Sequence, residues 1–66
     1  MVGMVNDPTH VQRADQIADM AVAAERRGDW TRASLEFTRA AGAYEHARKP
    51  GDADECRQRA RTASVA

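Results

Sequence analysis

The stretch Glu25-Arg26-Arg27-Gly28-Asp29-Trp30-Thr31-Arg32-Ala33 predicts that the chain turns back on itself between two helices. Gly28 can adopt the left-handed conformation that closes a helix, without the steric cost of a Cβ atom. Asp29 suits the N-cap of the next helix, because its carboxylate can accept from free backbone N–H groups. Trp30 opens that helix, where it either covers the hairpin as a buried apolar lid or contacts a ligand from an exposed position.

Helical periodicity extends on both sides of this turn and predicts helices over about residues 8–27, 30–48 and 53–64. Asp7 and Pro8 provide an N-cap acid and a proline for the first helical position. Pro50 ends the second helix, and Asp52 can cap the third. Each helix carries one stripe of apolar and small residues at three- and four-residue spacing: Val11, Ala14, Ile17, Ala18, Ala21 and Ala24; Ala33, Phe37, Ala40, Ala41, Tyr44 and Ala47; Ala53, Cys56, Ala60 and Ala63.

These elements predict an all-α, three-helix module, in which an antiparallel helical hairpin is joined by a shorter third helix. No segment alternates apolar and polar residues for long enough to form a strand. Residues 1–6 lack periodicity and are expected to be a disordered N-terminus, so residues 7–66 form a single domain. Its structural turn and core are expected to include Gly28, Asp29, Trp30, Ala33, Phe37 and Tyr44.

The predicted core is small, because most of its residues are alanines and the chain of 66 residues is near the lower limit for folding alone. We therefore expect stabilisation by a partner protein or by self-association into a homo-oligomer. Val22 and Leu35 lie outside the main stripes, and Gly42 leaves a stretch of the second helix with little side-chain bulk. The expected partner-binding residues are Val22, Leu35, Gly42, Cys56, Arg57 and Arg61.

Composition restricts the remaining classes of function. Ten acidic and ten basic residues give zero net charge, which argues against a global electrostatic partner. No apolar run is long enough to span a bilayer, and Met1–Val5 is too short for a signal peptide, so no membrane partner is expected. A single cysteine, Cys56, fits a reducing, cytoplasmic location. Nucleic-acid binding through Arg57, Arg59 and Arg61 of the third helix is the alternative function.

The chain shows no pattern typical of catalysis or of cofactor binding. His10, His46 and Cys56 fall in three different helices, without the close ligand pair of a zinc site. Nothing in the sequence around Cys56 supports an oxyanion site or an acid that orients a histidine base, and its stripe position favours a buried role. Gly28 and Gly51 stand alone at helix boundaries, so there is no glycine-rich phosphate loop. We expect no catalytic residue, no metal and no cofactor.

The turn and both flanking stripes resemble the tetratricopeptide repeat, a helical hairpin with small and large residues at fixed offsets around a Gly-Asp-Tyr/Trp turn. Ala24 stands where that pattern has an aromatic residue, and Glu45 where it has a proline. The match covers a single unit, and such a unit normally needs neighbours to cover its faces. The matching positions are Ile17, Met20, Ala21, Gly28, Trp30, Ala33, Phe37 and Ala40.

The long second helix followed by a third also resembles the microtubule-interacting-and-transport domain, a three-helix bundle of similar length. Both resemblances imply recognition of other proteins and no enzymatic activity. The best-known peptide pocket of the repeat family binds a C-terminal carboxylate through an asparagine, whereas Val22 occupies that position here. We therefore expect a non-catalytic protein–protein interaction module, acting as a small regulator or adaptor, whose partner the sequence does not identify.

Overall fold

The computed structural model describes residues 8–66. They form three α-helices, α1 (Pro8–Arg26), α2 (Trp30–His46) and α3 (Pro50–Ser64), and contain no strand. α2 lies between the other two helices and packs against both of them. The predicted all-α module with a shorter third helix is confirmed. The expected disorder of residues 1–6 and the expected Asp7 cap lie outside the described residues.

The first turn has the predicted geometry. Gly28 adopts a left-handed conformation with φ of 77°, and its N–H donates to the Glu25 carbonyl at 2.9 Å. The N–H of Asp29 donates to the Ala24 carbonyl at 2.9 Å, which completes a Schellman motif. The Asp29 carboxylate accepts from the Arg32 N–H at 3.1 Å. Asp29 thus helps to close α1 through its N–H and caps α2 through its carboxylate, so the hairpin turns within residues 27–29.

The second turn repeats the motif without a glycine. Arg48 has φ of 61°, and its N–H donates to the Glu45 carbonyl at 3.0 Å, while the Lys49 N–H donates to the Tyr44 carbonyl at 2.9 Å. α2 therefore ends at His46, earlier than predicted. α3 begins earlier than predicted, at Pro50, since a proline with fixed φ and no N–H suits the first helical position.

The helix cap predicted at Asp52 is wrong. Lys49 is the N-cap of α3 and makes no side-chain capping bond, whereas Asp52 lies within the first turn of the helix. In that position its negative charge faces the partial positive charge of the helix N-terminus. The cap lies at Lys49 because Pro50, which the sequence pattern places only at the end of α2, is the first residue of α3.

The core follows the three predicted stripes. Among residues 8–66, Phe37 is the one large side chain that is fully buried, and the Arg59 guanidinium lies 4.9 Å from the centroid of its ring. Arg59 Nη2 also donates to Glu25 Oε1 at 3.2 Å, which links α3 to α1 across the ring. Val11, Ile17, Ala18 and Ala47 are half-buried at the edges. The buried apolar residues are Ala14, Ala21, Ala24, Ala33, Phe37, Ala40, Ala41, Tyr44, Ala53, Cys56, Ala60 and Ala63.

Trp30 corrects one expectation about the core. Its residue surface is 41% exposed, so it is not the buried lid that the sequence suggested. As the first residue of α2 it lies at the end of the hairpin, where it lines a shallow cleft with Ala63, Ser64 and Ala66 at the end of α3. The largest side chain of the protein therefore remains at the surface.

Candidate interaction surfaces

Two adjoining clefts between α2 and the end of α3 form what we call the α2–α3 surface. Trp30 and Thr31 line the first cleft, and Arg57 and Arg61 line the second. Ser34 and Ser64 line both, so the two are continuous. Leu35 lies one helical turn from Thr31 on α2 and is 52% exposed, but it lines neither cleft. The surface thus combines the large apolar side chain of Trp30 with small hydroxyl residues and two arginines, and Leu35 is exposed at its edge.

The arginines of α3 differ in how far they are engaged. Arg57 forms salt bridges with Glu45 of α2 and with Asp54, the latter at 3.0 Å. Arg59 is bound to Glu25. Arg61 forms no salt bridge with any residue of the described range, 8–66. Arg61 is therefore the cation of α3 that is available to a partner.

The structure brings together only part of the predicted partner-binding set. Leu35, Arg57 and Arg61 lie on or beside the α2–α3 surface. Gly42 is half-buried one turn beyond Thr38, which lines the second cleft, and a Cβ built at Gly42 would meet nothing within 4 Å. The close backbone approach that the sequence suggested at Gly42 is therefore not made by the described residues.

The other two residues of that set lie elsewhere. Val22 is half-buried on α1 and packs against the core. Cys56 is a buried free cysteine, so its thiol is not part of an exposed surface. Burial raises the pKa of this thiol, and the nearby carboxylates of Glu55 and Asp52 raise it further. Cys56 therefore remains a protonated, weakly reactive core residue at neutral pH.

A groove between α1 and α2 lies on another side of the molecule. It has a volume of about 480 Å³ and an apolar floor formed by Ile17 and Ala43. Arg13 and Arg39 line it from opposite helices, together with His10 and His46. Arg13 forms no salt bridge with a carboxylate of residues 8–66. We call this feature the basic groove.

Beside Arg39, α2 buries a carboxylate that the sequence analysis did not identify. Glu36 is 3% exposed, and its Oε2 accepts from Arg32 Nη1 at 3.3 Å. Its Oε1 is 3.9 Å from Arg39 Nη1 and has no hydrogen-bond partner among the described residues. Arginines four positions before and three positions after an acid could have indicated this pairing, because such residues are neighbours on a helix. Glu36 only partly compensates the charge of the two arginines.

A cluster of carboxylates lies between α1 and α3. The Tyr44 hydroxyl, on a buried residue of α2, donates to Asp15 of α1. Burial raises the pKa of Tyr44, and the hydrogen bond and negative charge of Asp15, with the charge of Asp52 on α3, raise it further. Glu55 of α3 is exposed close to the same site. We call Asp15, Asp52 and Glu55 the acidic cleft.

Among the described residues, no group of three or more His, Cys, Asp or Glu side chains is placed to hold a metal ion. Within residues 8–66, none of the helices is long and apolar enough to cross a bilayer. Comparisons with models of protein families, with curated proteins and with solved structures found no match to this chain.

Proposed function

We propose that this protein is a non-catalytic protein–protein interaction module that binds a partner through the α2–α3 surface. The observation that carries this proposal is the exposure of Trp30 and Leu35, 41% and 52%, beside a core built mainly from alanines. Burial of a tryptophan by a partner contributes strongly to affinity, and tryptophan is enriched among the residues that dominate binding. The likeness of the hairpin to a tetratricopeptide repeat belongs to the same proposal.

The partner surface that fits has an apolar side chain against Trp30 and a carboxylate near Arg61, with a further apolar contact to Leu35 at the edge. Thr31, Ser34 and Ser64, which line the clefts beside Trp30, provide hydroxyl groups for hydrogen bonds, and their small size allows close approach. Apolar burial would supply most of the affinity, whereas the charge at Arg61 would fix the orientation of the partner. The cytoplasm is the compartment that we propose for this interaction.

Nucleic-acid binding by α3 is supported less well. Arg57 and Arg59 are held in salt bridges with Glu45, Asp54 and Glu25, which leaves their charges compensated. Affinity for the phosphate backbone needs several uncompensated cations and falls steeply with salt. A gel-shift assay at low salt distinguishes the two functions, since our proposal predicts no shift of a DNA duplex.

The proposal is tested by comparing Leu35→Ala with Met20→Ala, because the two variants shorten side chains that are equally exposed. Leu35 is 52% exposed on α2, and Met20 is 51% exposed on α1, away from the α2–α3 surface. The immobilised wild-type protein and the Leu35→Ala, Trp30→Ala and Met20→Ala variants are compared for the proteins that they retain from a cell extract. We expect Leu35→Ala and Trp30→Ala each to retain at least about tenfold less of the specific partner than wild type does. Met20→Ala should retain as much as wild type.

Circular dichroism of each variant checks that the helices are intact. Equal retention by Leu35→Ala and Met20→Ala would show that the α2–α3 surface is not the binding site. Because Trp30 is the single tryptophan, its emission provides a second measurement on the purified pair. Binding at this surface is expected to shift the emission to shorter wavelength as water is excluded from the ring.

A further inference from the structure

The molecule carries charge of opposite sign on two separate faces although its net charge is zero. The basic groove has Arg13 and Arg39 on its walls, with Glu36 as the one carboxylate bound beside them among the described residues. The acidic cleft has Asp15, Asp52 and Glu55 exposed, and Asp19 is exposed one turn further along α1. Each face therefore has an excess of one charge that the other face could compensate.

Arg59 of α3, whose charge acts on Cys56 beside the acidic cleft, does not reduce this asymmetry. Arg59 is held by Glu25 at 3.2 Å and contacts the Phe37 ring, so the pair as a whole is neutral. On the basic side, Arg13 has no carboxylate partner among residues 8–66. The side chain of Arg39 is 62% exposed and lies 3.9 Å from Glu36, beyond a close hydrogen bond. Both cations can therefore accept a carboxylate from another molecule.

We propose that the basic groove of one copy of this chain binds the exposed carboxylates of the acidic cleft and of Asp19 on a second copy. The apolar floor at Ile17 and Ala43 gives the contact a dry centre, around which Arg13 and Arg39 face the carboxylates of Asp19 and Glu55. Because the two faces differ, the contact is heterologous and leaves one groove and one cleft free at the ends. Association therefore continues head to tail as concentration rises.

A second copy fits these observations better than a nucleic acid does. A nucleic acid would compensate the groove, but it would leave the acidic cleft unmatched and repelled by the phosphates. Exposed ion pairs contribute little individually, so the assembly is expected to be weak and strongly dependent on salt. The inference rests on the proposed function, because it describes one further interaction of the same module through surfaces other than Trp30 and Leu35.

Sedimentation equilibrium of the full chain tests the inference. At about 20 mM salt, where charges interact over about 20 Å, we expect the average mass to rise above 7.2 kDa with concentration. At about 500 mM salt, where screening reduces that range to about 4 Å, it should return to 7.2 kDa. A wild-type protein that stays monomeric at about 1 mM and low salt would overturn the inference, because even weak complexes form at that concentration. Association that resists salt would overturn it as well.

Two double variants identify the faces. Arg13→Glu with Arg39→Gln disables the groove, and Asp19→Lys with Glu55→Lys disables the cleft while leaving Asp15 bonded to Tyr44. Each variant alone is expected to associate at least about tenfold more weakly than wild type. An equimolar mixture should form a 1:1 complex, because each partner retains one intact face. Failure of the mixture to associate, or wild-type association by either variant alone, would overturn the inference.

Controls separate this inference from the proposed function. Arg27→Gln changes a charge outside both faces and outside the α2–α3 surface, and is expected to associate like wild type. Head-to-tail association should leave the Trp30 emission unchanged, so partner binding and self-association are read independently. If a double variant loses its helical circular dichroism, Arg13→Gln and Asp19→Asn replace it, each weakening association about two- to fivefold. No weakening in either single variant would contradict the assignment of faces.

Discussion

α1 and α2 end in the same motif, which has glycine at the left-handed position in α1 and arginine there in α2. This difference predicts that replacing the arginine with glycine raises the free energy of unfolding. Arg48 adopts φ of 61°, whereas Gly28 occupies the equivalent position with φ of 77°. A left-handed conformation costs a residue with a Cβ atom about 1–2 kcal/mol. Glycine removes that cost but adds about 0.5–1 kcal/mol of conformational entropy to the unfolded chain. Arg48→Gly is therefore expected to stabilise the fold by about 0.5–1 kcal/mol.

The surroundings of both residues support a purely backbone effect. Arg48 is exposed, and its side chain makes no hydrogen bond or salt bridge with the residues that the structure describes, so its removal loses little. A Cβ atom added at Gly28 would meet nothing within 4 Å, which leaves the left-handed φ as the cost of Gly28→Ala. We expect that substitution to lower the free energy of unfolding by about 1 kcal/mol.

Urea unfolding followed by far-ultraviolet circular dichroism measures these differences. With a denaturant slope of about 1 kcal/mol per molar, the midpoint of Arg48→Gly should rise by about 0.5–1 M. Arg48→Ala is the matched control, because it removes the same side chain but retains the strained conformation, and it should leave the midpoint nearly unchanged. If Arg48→Ala stabilised the protein as much as Arg48→Gly, the side chain would be responsible and the reasoning from φ would be refuted.

Three further predictions concern the core. Phe37→Ala should lower the free energy of unfolding by about 3–5 kcal/mol and largely unfold the protein, whereas Phe37→Leu should lower it by about 1 kcal/mol. Urea unfolding measures both, and a stable Phe37→Ala protein with intact helices would contradict the assigned core. Burial and the bond to Asp15 raise the pKa of Tyr44, so the native state retains the phenol proton that the unfolded state loses. Its stabilising effect is thus fully present below pH about 10, and above that pH Tyr44 should make the free energy of unfolding fall by about 1.4 kcal/mol per pH unit. Unfolding curves of Tyr44→Phe over this range should lack this contribution and retain only the loss that the raised pKa of Cys56 causes. Glu36→Leu should raise the free energy of unfolding by about 1 kcal/mol, because it removes a buried, half-satisfied carboxylate, and a loss of stability would contradict this account.

The sequence predicted the features of the fold that depend on local signals. Helical spacing identified the buried stripes, and Gly28 followed by Asp29 identified the first turn, since both residue types have strong conformational preferences there. The second turn was less predictable, because Arg48 has no intrinsic preference for a left-handed conformation. A proline such as Pro50 is compatible with either the end of one helix or the start of the next. In the structure, where α3 packs against α2, Pro50 is the first residue of α3.

The candidate surfaces were less accessible to sequence reasoning, because they depend on what lies across from each residue. Trp30 was expected in the core because of its size, yet its position at the end of the hairpin leaves it exposed. Glu36 was overlooked because an acid is rarely buried, and its burial depends on Arg32 and Arg39 around it. The division of charge between groove and cleft arises only when α1 and α3 are placed on two sides of α2.

The retention experiment with the exposed leucine and methionine variants tests the central claim most directly. If the protein is a binding module that uses the α2–α3 surface, Leu35→Ala should retain at least about tenfold less of the partner than wild type does. Met20→Ala should retain as much as wild type. The same partner retained equally by both folded variants would contradict the claim that Leu35 and the surface around it form the binding site.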